Sequence, residues 1–360
     1  MKILYLIFPF LLIIYGLYTL YKNEKNVYSI ILISLGLSII AFYTLPNIQD
    51  DLQRHFDVIN SYMNHPITVI FKSGYSFVYL NNLIMYLIAQ TGHPELYQAV
   101  FTFVGYLVLF KFILEVCKDE KVHDQKKIII IIIFFFLISF YKIYILAIRN
   151  YFCFIIGSYA TYLLRNNRLN VKYYLLIILL LIFIHPVSLI FILYLFFIKI
   201  KNKYFKTLLT IGIFFNKAII KCTLLFLSTD GFFYTKIYYY INQSLQEYNT
   251  NFMIYYIILA VFALLIVFFS FKYCSQTAEL LFISVIIGLS FYYQFELIRR
   301  FMYLVPLFLI EPLITVLSKK SDFYKLRVEY VCYFFMFGLS VAAVLATIAN
   351  TKAYGWYLIF

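Results

Sequence analysis

Charge is what this 360-residue sequence has least of. Asp, Glu, Lys and Arg together supply 13% of the chain against 64% apolar residues, about half the charged share of an ordinary soluble domain. That balance excludes a soluble globular enzyme and a disordered chain. Cysteine is sparse too. Cys117, Cys153, Cys222, Cys274 and Cys332 are odd in number, scattered, and contain no C-x-x-C spacing, so neither a disulfide framework, a zinc site nor a redox motif is expected. The sequence has no G-x-x-x-x-G-K-[ST], no G-x-G-x-x-G and no H-E-x-x-H, which argues against nucleotide-driven transport within the chain. No His, Cys and carboxylate spacing specifies a metal, and no cofactor is expected. There is no internal repeat of the solenoid kind and no hydrophilic stretch long enough to fold alone. Alternation of polar and apolar residues is lacking as well, which argues against a membrane barrel.

What is present comes in long apolar blocks: 3–21, 27–45, 96–116, 128–146, 148–164, 173–198, 205–227, 253–271, 278–294, 301–317 and 328–349. A spanning helix needs about 20 apolar residues, so the expected fold is all-α, a polytopic membrane bundle of about 11–12 spans including short or broken helices. The chain reads as one transmembrane domain, 1–360. The first block starts just after Lys2 without a small-residue cleavage site, and reads as a retained span rather than a signal peptide. Two elements are irregular. Residues 75–90 carry Asn81, Asn82 and Gln90, and are expected to lie on the membrane or re-enter it. Block 173–198 is too long for an untilted span and is interrupted by His185-Pro186. Proline removes a helix donor and restricts the residue before it, so two half-spans should meet at His185.

Basic residues exceed acidic ones, 30 to 16, for a net charge of +14. They sit in short loops, which points to membrane topology and anionic lipid rather than nucleic acid. Placing loops 22–25, 111–127, 165–172, 199–206, 272 and 319–327 in the cytoplasm gathers most of them on one side. Segments 46–74 and 217–252 then face outward, and the chain reads as a multi-pass membrane protein. The Tyr238-Tyr239-Tyr240 run in the second segment fits an interfacial aromatic belt.

Polar groups at the outer ends of spans are costly and therefore informative. The run Asp50-Asp51-Leu52-Gln53-Arg54-His55-Phe56-Asp57 follows the second span. It could hold a general base, or form ordinary surface ion pairs. Arg149 opens the block 148–164, where the helix dipole disfavours a cation. Either it snorkels to lipid headgroups, or an anion such as phosphate joins it there. His185 at the helix break could act as base or phosphate donor, or could satisfy backbone carbonyls. Arg299 and Arg300, after Glu296, run against the positive-inside bias and offer a second anion contact. Glu311-Pro312 reads as a kink with a satisfied carboxylate.

In this order the pieces D-D-L-Q-R-H-F (50–56), A-I-R-N-Y-F (147–152), F-I-H-P-V-S-L-I (183–190) and I-R-R-F-M-Y-L-V-P (298–306) resemble the EpsG-type family of polysaccharide polymerases, related to the Wzy-like O-antigen and capsule polymerases. The resemblance covers roughly residues 1–310. The chain departs from it at Asp-Asp-Leu-Gln-Arg-His, where many relatives show Asp-Tyr-x-x-Tyr, and at Phe152-Cys153, where Leu-Ala is common. It implies a metal-independent membrane glycosyltransferase similar to the GT-C type. An undecaprenyl-pyrophosphate-linked oligosaccharide would be donor, and a hydroxyl of a second lipid-linked repeat would be acceptor on the outer membrane face. Asp51 is then the first candidate for the base and His185 the second. Arg149 with Arg299 or Arg300 would bind the pyrophosphate, and Arg54 and His55 join the substrate-binding candidates. Membrane lipids, a chain-length regulator and a flippase are candidate partners. The competing expectations are a lipid-linked oligosaccharide flippase and a membrane acyltransferase acting on glycans.

Overall fold

The computed structural model describes residues 2–22, 26–46, 51–71, 78–139, 144–145, 147–218, 250–291, 295–319, 322–323 and 326–354. The expected outward segment 217–252 therefore lies almost wholly outside the described residues, as do Asp50 and the Tyr238–Tyr240 run. The architecture is a helical membrane bundle. Fifteen α-helices are described: α1 Lys2–Tyr21, α2 Asn26–Phe42, α3 Asp51–Tyr62, α4 Tyr79–Ala89, α5 Leu96–Asp119, α6 Gln125–Ile138, α7 Ile148–Arg165, α8 Val171–Ile182, α9 Ile190–Lys199, α10 Lys203–Phe214, α11 Thr250–Ser270, α12 Ser275–Ser290, α13 Phe295–Phe301, α14 Leu304–Ser318 and α15 Val328–Tyr354. Two-residue strands, Asp322–Phe323 and Leu326–Arg327, pair antiparallel before α15.

Among the described residues, four helical stretches are long and apolar enough to cross a membrane: Leu96–Asp119, Met253–Ser270, Leu297–Ser318 and Val328–Thr347. Further apolar helices are shorter. α4 has 11 residues and rises only about 16 Å at 1.5 Å per residue, well short of a ~30 Å hydrocarbon core. The break expected at His185 is present. α8 ends at Ile182, a 3₁₀ turn runs over Pro186–Leu189, and α9 starts at Ile190.

The chain forms two compact units, Met1–Leu193 with Ala343–Phe360, and Tyr194–Ala342. In the first, α1 and α2 pack closely because Gly16 and Gly36 carry no Cβ. A methyl at Gly16 would stand 2.9 Å from the Ser29 carbonyl, and one at Gly36 would stand 2.6 Å from that of Pro9. Small residues allow this approach between membrane helices. Polar side chains along these helices hydrogen-bond within the bundle, as a medium without water demands. The Thr19 and Ser29 hydroxyls meet at 2.8 Å, and Ser38 donates to the Ala99 carbonyl at 2.8 Å. The buried Gln98 amide donates to the carbonyls of Ala41 and, at 2.6 Å, of Thr44. α2 is thereby clamped to the start of α5. Gly157 of α7 leaves room for the ring of Phe191 just beyond the break.

In the second unit α14 is the central element, with nearly every residue buried from Leu304 to Leu317. It continues through Pro312. Tyr194 shares a hydrogen bond of 2.8 Å with Ser284 and stacks on Phe308.

Candidate functional site

α3 is the least apolar of the described helices around the first unit's core, yet it buries Leu52, His55, Phe56, Ile59 and Tyr62. That spacing of three and four is one face of a helix. It turns His55 inward, 1% exposed, and leaves Asp51 and Arg54 at the margin. Asp51 occupies the first turn of α3, where the helix dipole favours a carboxylate.

α7 delivers the partner. Arg149 stands in its first turn, against the dipole, and its side chain is only 10% exposed. A buried guanidinium needs a counter-charge, and Asp51, 98 residues earlier in the chain, supplies it at 3.8 Å. This burial does not suit the snorkelling reading, which needs the charged head in water or among headgroups. The other Asp51 oxygen takes Arg54 at 2.9 Å, and His55 Nε2 lies 3.6 Å from the oxygen facing Arg149. One carboxylate thus gathers two arginines and a histidine.

The electrostatics follow from that geometry. Burial alone would raise the Asp51 pKa, but His55, Arg149 and Arg54 outweigh it and hold the carboxyl well below the usual range. His55 is lowered to about 4, first by burial and then by the charge of Arg149, with Asp51 opposing. At neutral pH the imidazole is therefore uncharged, and its hydrogen bond together with the two guanidinium groups keeps Asp51 ionised.

Residues that the sequence did not single out shape this site. The His55 ring packs against Tyr97 of α5, with centroids 5.5 Å apart. Tyr97 donates to Asn81 of α4 at 2.7 Å, and the Asn81 backbone N–H donates to the Phe183 carbonyl at the α8 break. Asn81 and Asn82, which made residues 75–90 look poorly suited to a span, are fully buried here. Asn82 donates to the Ile70 carbonyl at 3.2 Å. Asn150 is also buried, and its side-chain oxygen has no hydrogen-bond partner among the described residues.

His185 lies in the same unit and is half-buried. Its Nδ1 accepts from the Val187 backbone N–H at 3.2 Å, capping the 3₁₀ turn. This bond leaves Nε2 as the protonated nitrogen of a neutral ring. Cys153 sits one helical turn after Arg149 and reaches the Leu181 carbonyl at 3.6 Å, so the face of α7 that carries Arg149 also packs on the break. Arg299 and Arg300 belong to the second unit, on the seven-residue α13, both half-buried. Arg299 lies within electrostatic reach of the buried Tyr256. Among the described residues no group of three or more His, Cys, Asp or Glu is placed to hold a metal.

No protein-family model, no curated protein and no solved structure matches this chain.

Proposed function

We propose that the chain is a polysaccharide polymerase of the bacterial cell membrane, a metal-independent helical glycosyltransferase of GT-C type with about 11–12 spans. It transfers a glycan from an undecaprenyl-pyrophosphate-linked donor to a hydroxyl of a second lipid-linked repeat on the outer face. The observation that carries this reading is Arg149. It is a buried guanidinium at a helix start, paired with Asp51 of a separate helix.

The donor pyrophosphate takes the place of Asp51 as the partner of Arg149, with Arg54 reaching it from the exposed side. Two guanidinium groups then stand where negative charge grows on the leaving group, the buried one, Arg149, being the less screened by water. Released from those cations, the Asp51 carboxylate gains proton affinity and takes the proton of the acceptor hydroxyl. The hydroxyl oxygen bonds to the anomeric carbon. The bond from that carbon to the pyrophosphate oxygen breaks, and its electron pair leaves with undecaprenyl pyrophosphate. His55 is too deeply buried to reach a sugar and serves to position Asp51. His185 remains the second candidate base, with a protonated Nε2 able to donate to phosphate. These roles draw on the first unit alone, and Arg299 and Arg300 stay as candidate anion contacts of the second.

Purified protein incubated with a lipid-linked repeat should give a ladder of longer chains. A flippase would leave the repeat at its original length while moving it across vesicles. An acyltransferase would add mass to the repeat only when an acyl donor is supplied.

A further inference from the structure

The first unit has a second charged end. Tyr97, which contacts His55, lies in the first turn of α5, and Lys118 lies in its last turn 21 residues later, about 31 Å away at 1.5 Å per residue. That distance is one hydrocarbon thickness, so the far end of α5 meets the opposite membrane surface. There α2, α5 and α6 enclose a groove of about 610 Å³. Its walls are apolar, with Ile30 and Ile31 from α2, Leu107 and Leu114 from α5, and Ile128 from α6. Its rim is basic, with Lys111, Lys118 and His123. The carboxylate in the lining, Glu115, is held between Lys111 and Arg168, each at 3.9 Å. Lys118 and His123 are exposed and enter no ion pair among the described residues.

We infer that this groove binds one anionic phospholipid, with its phosphate at Lys111 and Lys118 and an acyl chain along Ile31, Leu107 and Leu114. The physical ground is the match of an amphiphile to an amphipathic groove. A soluble anion would leave the apolar walls unused, and a neutral lipid would leave the basic rim unanswered. Basic pockets between spans, at the level of the headgroups, attract anionic lipids by adding local charge attraction to chain burial. The site is separate from the proposed glycan chemistry and stands if that proposal falls.

The test is native mass spectrometry of the full-length protein released from detergent with either phosphatidylglycerol or phosphatidylcholine of matched chains. One phosphatidylglycerol should be retained in preference to phosphatidylcholine. The double substitution Lys111→Gln with Lys118→Gln should erase that preference while leaving the melting temperature of the protein unchanged. Ile31→Trp, which fills the apolar wall, should reduce retention with the rim charges intact. Glycerol phosphate, the headgroup without chains, should not compete. Equal retention of the two lipids, an unchanged preference in the double variant, or full competition by glycerol phosphate would each overturn the inference.

Discussion

The two ends of α5 carry nearly the same chemistry in opposite settings. At one end Asp51 meets Arg149 and Arg54. At the other, Asp119 and Glu115 meet Arg168, whose guanidinium sits 2.6 Å from Asp119, and Tyr162 donates to the same carboxylate. By distance the second cluster is the tighter one. The carboxylates are similarly exposed, 37% for Asp51 and 30% for Asp119, and the difference lies in the arginine that pairs with each, 44% exposed for Arg168 and only 10% for Arg149. An exposed ion pair trades protein contacts for water contacts of similar worth. A buried one leaves a stranded charge when broken. Burial, rather than contact length, marks the end where chemistry is expected.

The largest effect should come from Asp51→Asn. As the proposed base its loss should slow chain extension roughly 10²- to 10⁴-fold. Binding of the lipid pyrophosphate should persist or tighten, because one internal competitor for Arg149 is gone. An unchanged extension rate would return Asp51 to a purely structural role and leave His185 as the base.

Next in size is a pH effect at the same end. His55 has its folded pKa lowered to about 4 from an ordinary 6.5. Between those values the unfolded chain binds a proton that the folded one does not. Stability should therefore be full above pH 6.5 and fall as pH drops toward 4, by roughly 3 kcal/mol at most. Asp51, also depressed, adds its own loss only as pH falls through the unfolded carboxylate value near 3.8, at the bottom edge of this window. Melting temperatures across pH 4–7 should show the slope in wild type and lose it in His55→Gln. The same slope in both proteins would contradict the assignment.

A smaller loss is expected at the packing that joins α7 to the break. Gly157→Ala places a methyl into the buried Phe191 ring, an overpacking that should cost about 1–3 kcal/mol. Chemical denaturation in mixed micelles would measure it. A neutral result would mean that Phe191 moves aside freely. The smallest effect belongs to the exposed end, where Arg168→Ala should change stability by no more than about 1 kcal/mol and less at high salt. A loss of several kcal/mol would erase the contrast between the ends, since that is roughly what breaking a buried pair costs.

Much of this was legible in the sequence because membrane burial writes itself as long apolar runs and because proline breaks helices locally. Blocks 3–21, 96–116 and 328–349 correspond to α1, α5 and α15, and His185-Pro186 announced the break between α8 and α9. The pairing of Asp51 with Arg149 was not legible. Each residue looked informative on its own, but a contact across 98 residues depends on how α3 folds back on α7. Asn81, Asn82 and Gln98 were harder still. Asn81 and Asn82 pointed to a segment lying on or re-entering the membrane, and Gln98 passed as an ordinary position in block 96–116. Their amides instead satisfy carbonyls or a tyrosine on neighbouring segments, and a single sequence shows the polar group but not its partner. Arg54 and His55 sit one residue apart, yet helix geometry turns one to solvent and the other to the core, a difference that composition does not carry.

The most direct measurement is the chain-extension ladder run with Arg149→Ala, Arg149→Lys and Arg168→Ala at matched amounts of inserted protein. One buried cation facing a developing pyrophosphate is worth roughly 100- to 1,000-fold in rate, so Arg149→Ala should all but remove the ladder. Lys keeps the charge and loses the planar fork, and should restore only part of it. Arg168→Ala should extend chains like wild type. Ladders of equal length and yield from all three variants would show that Arg149 is a structural anchor and would contradict the account.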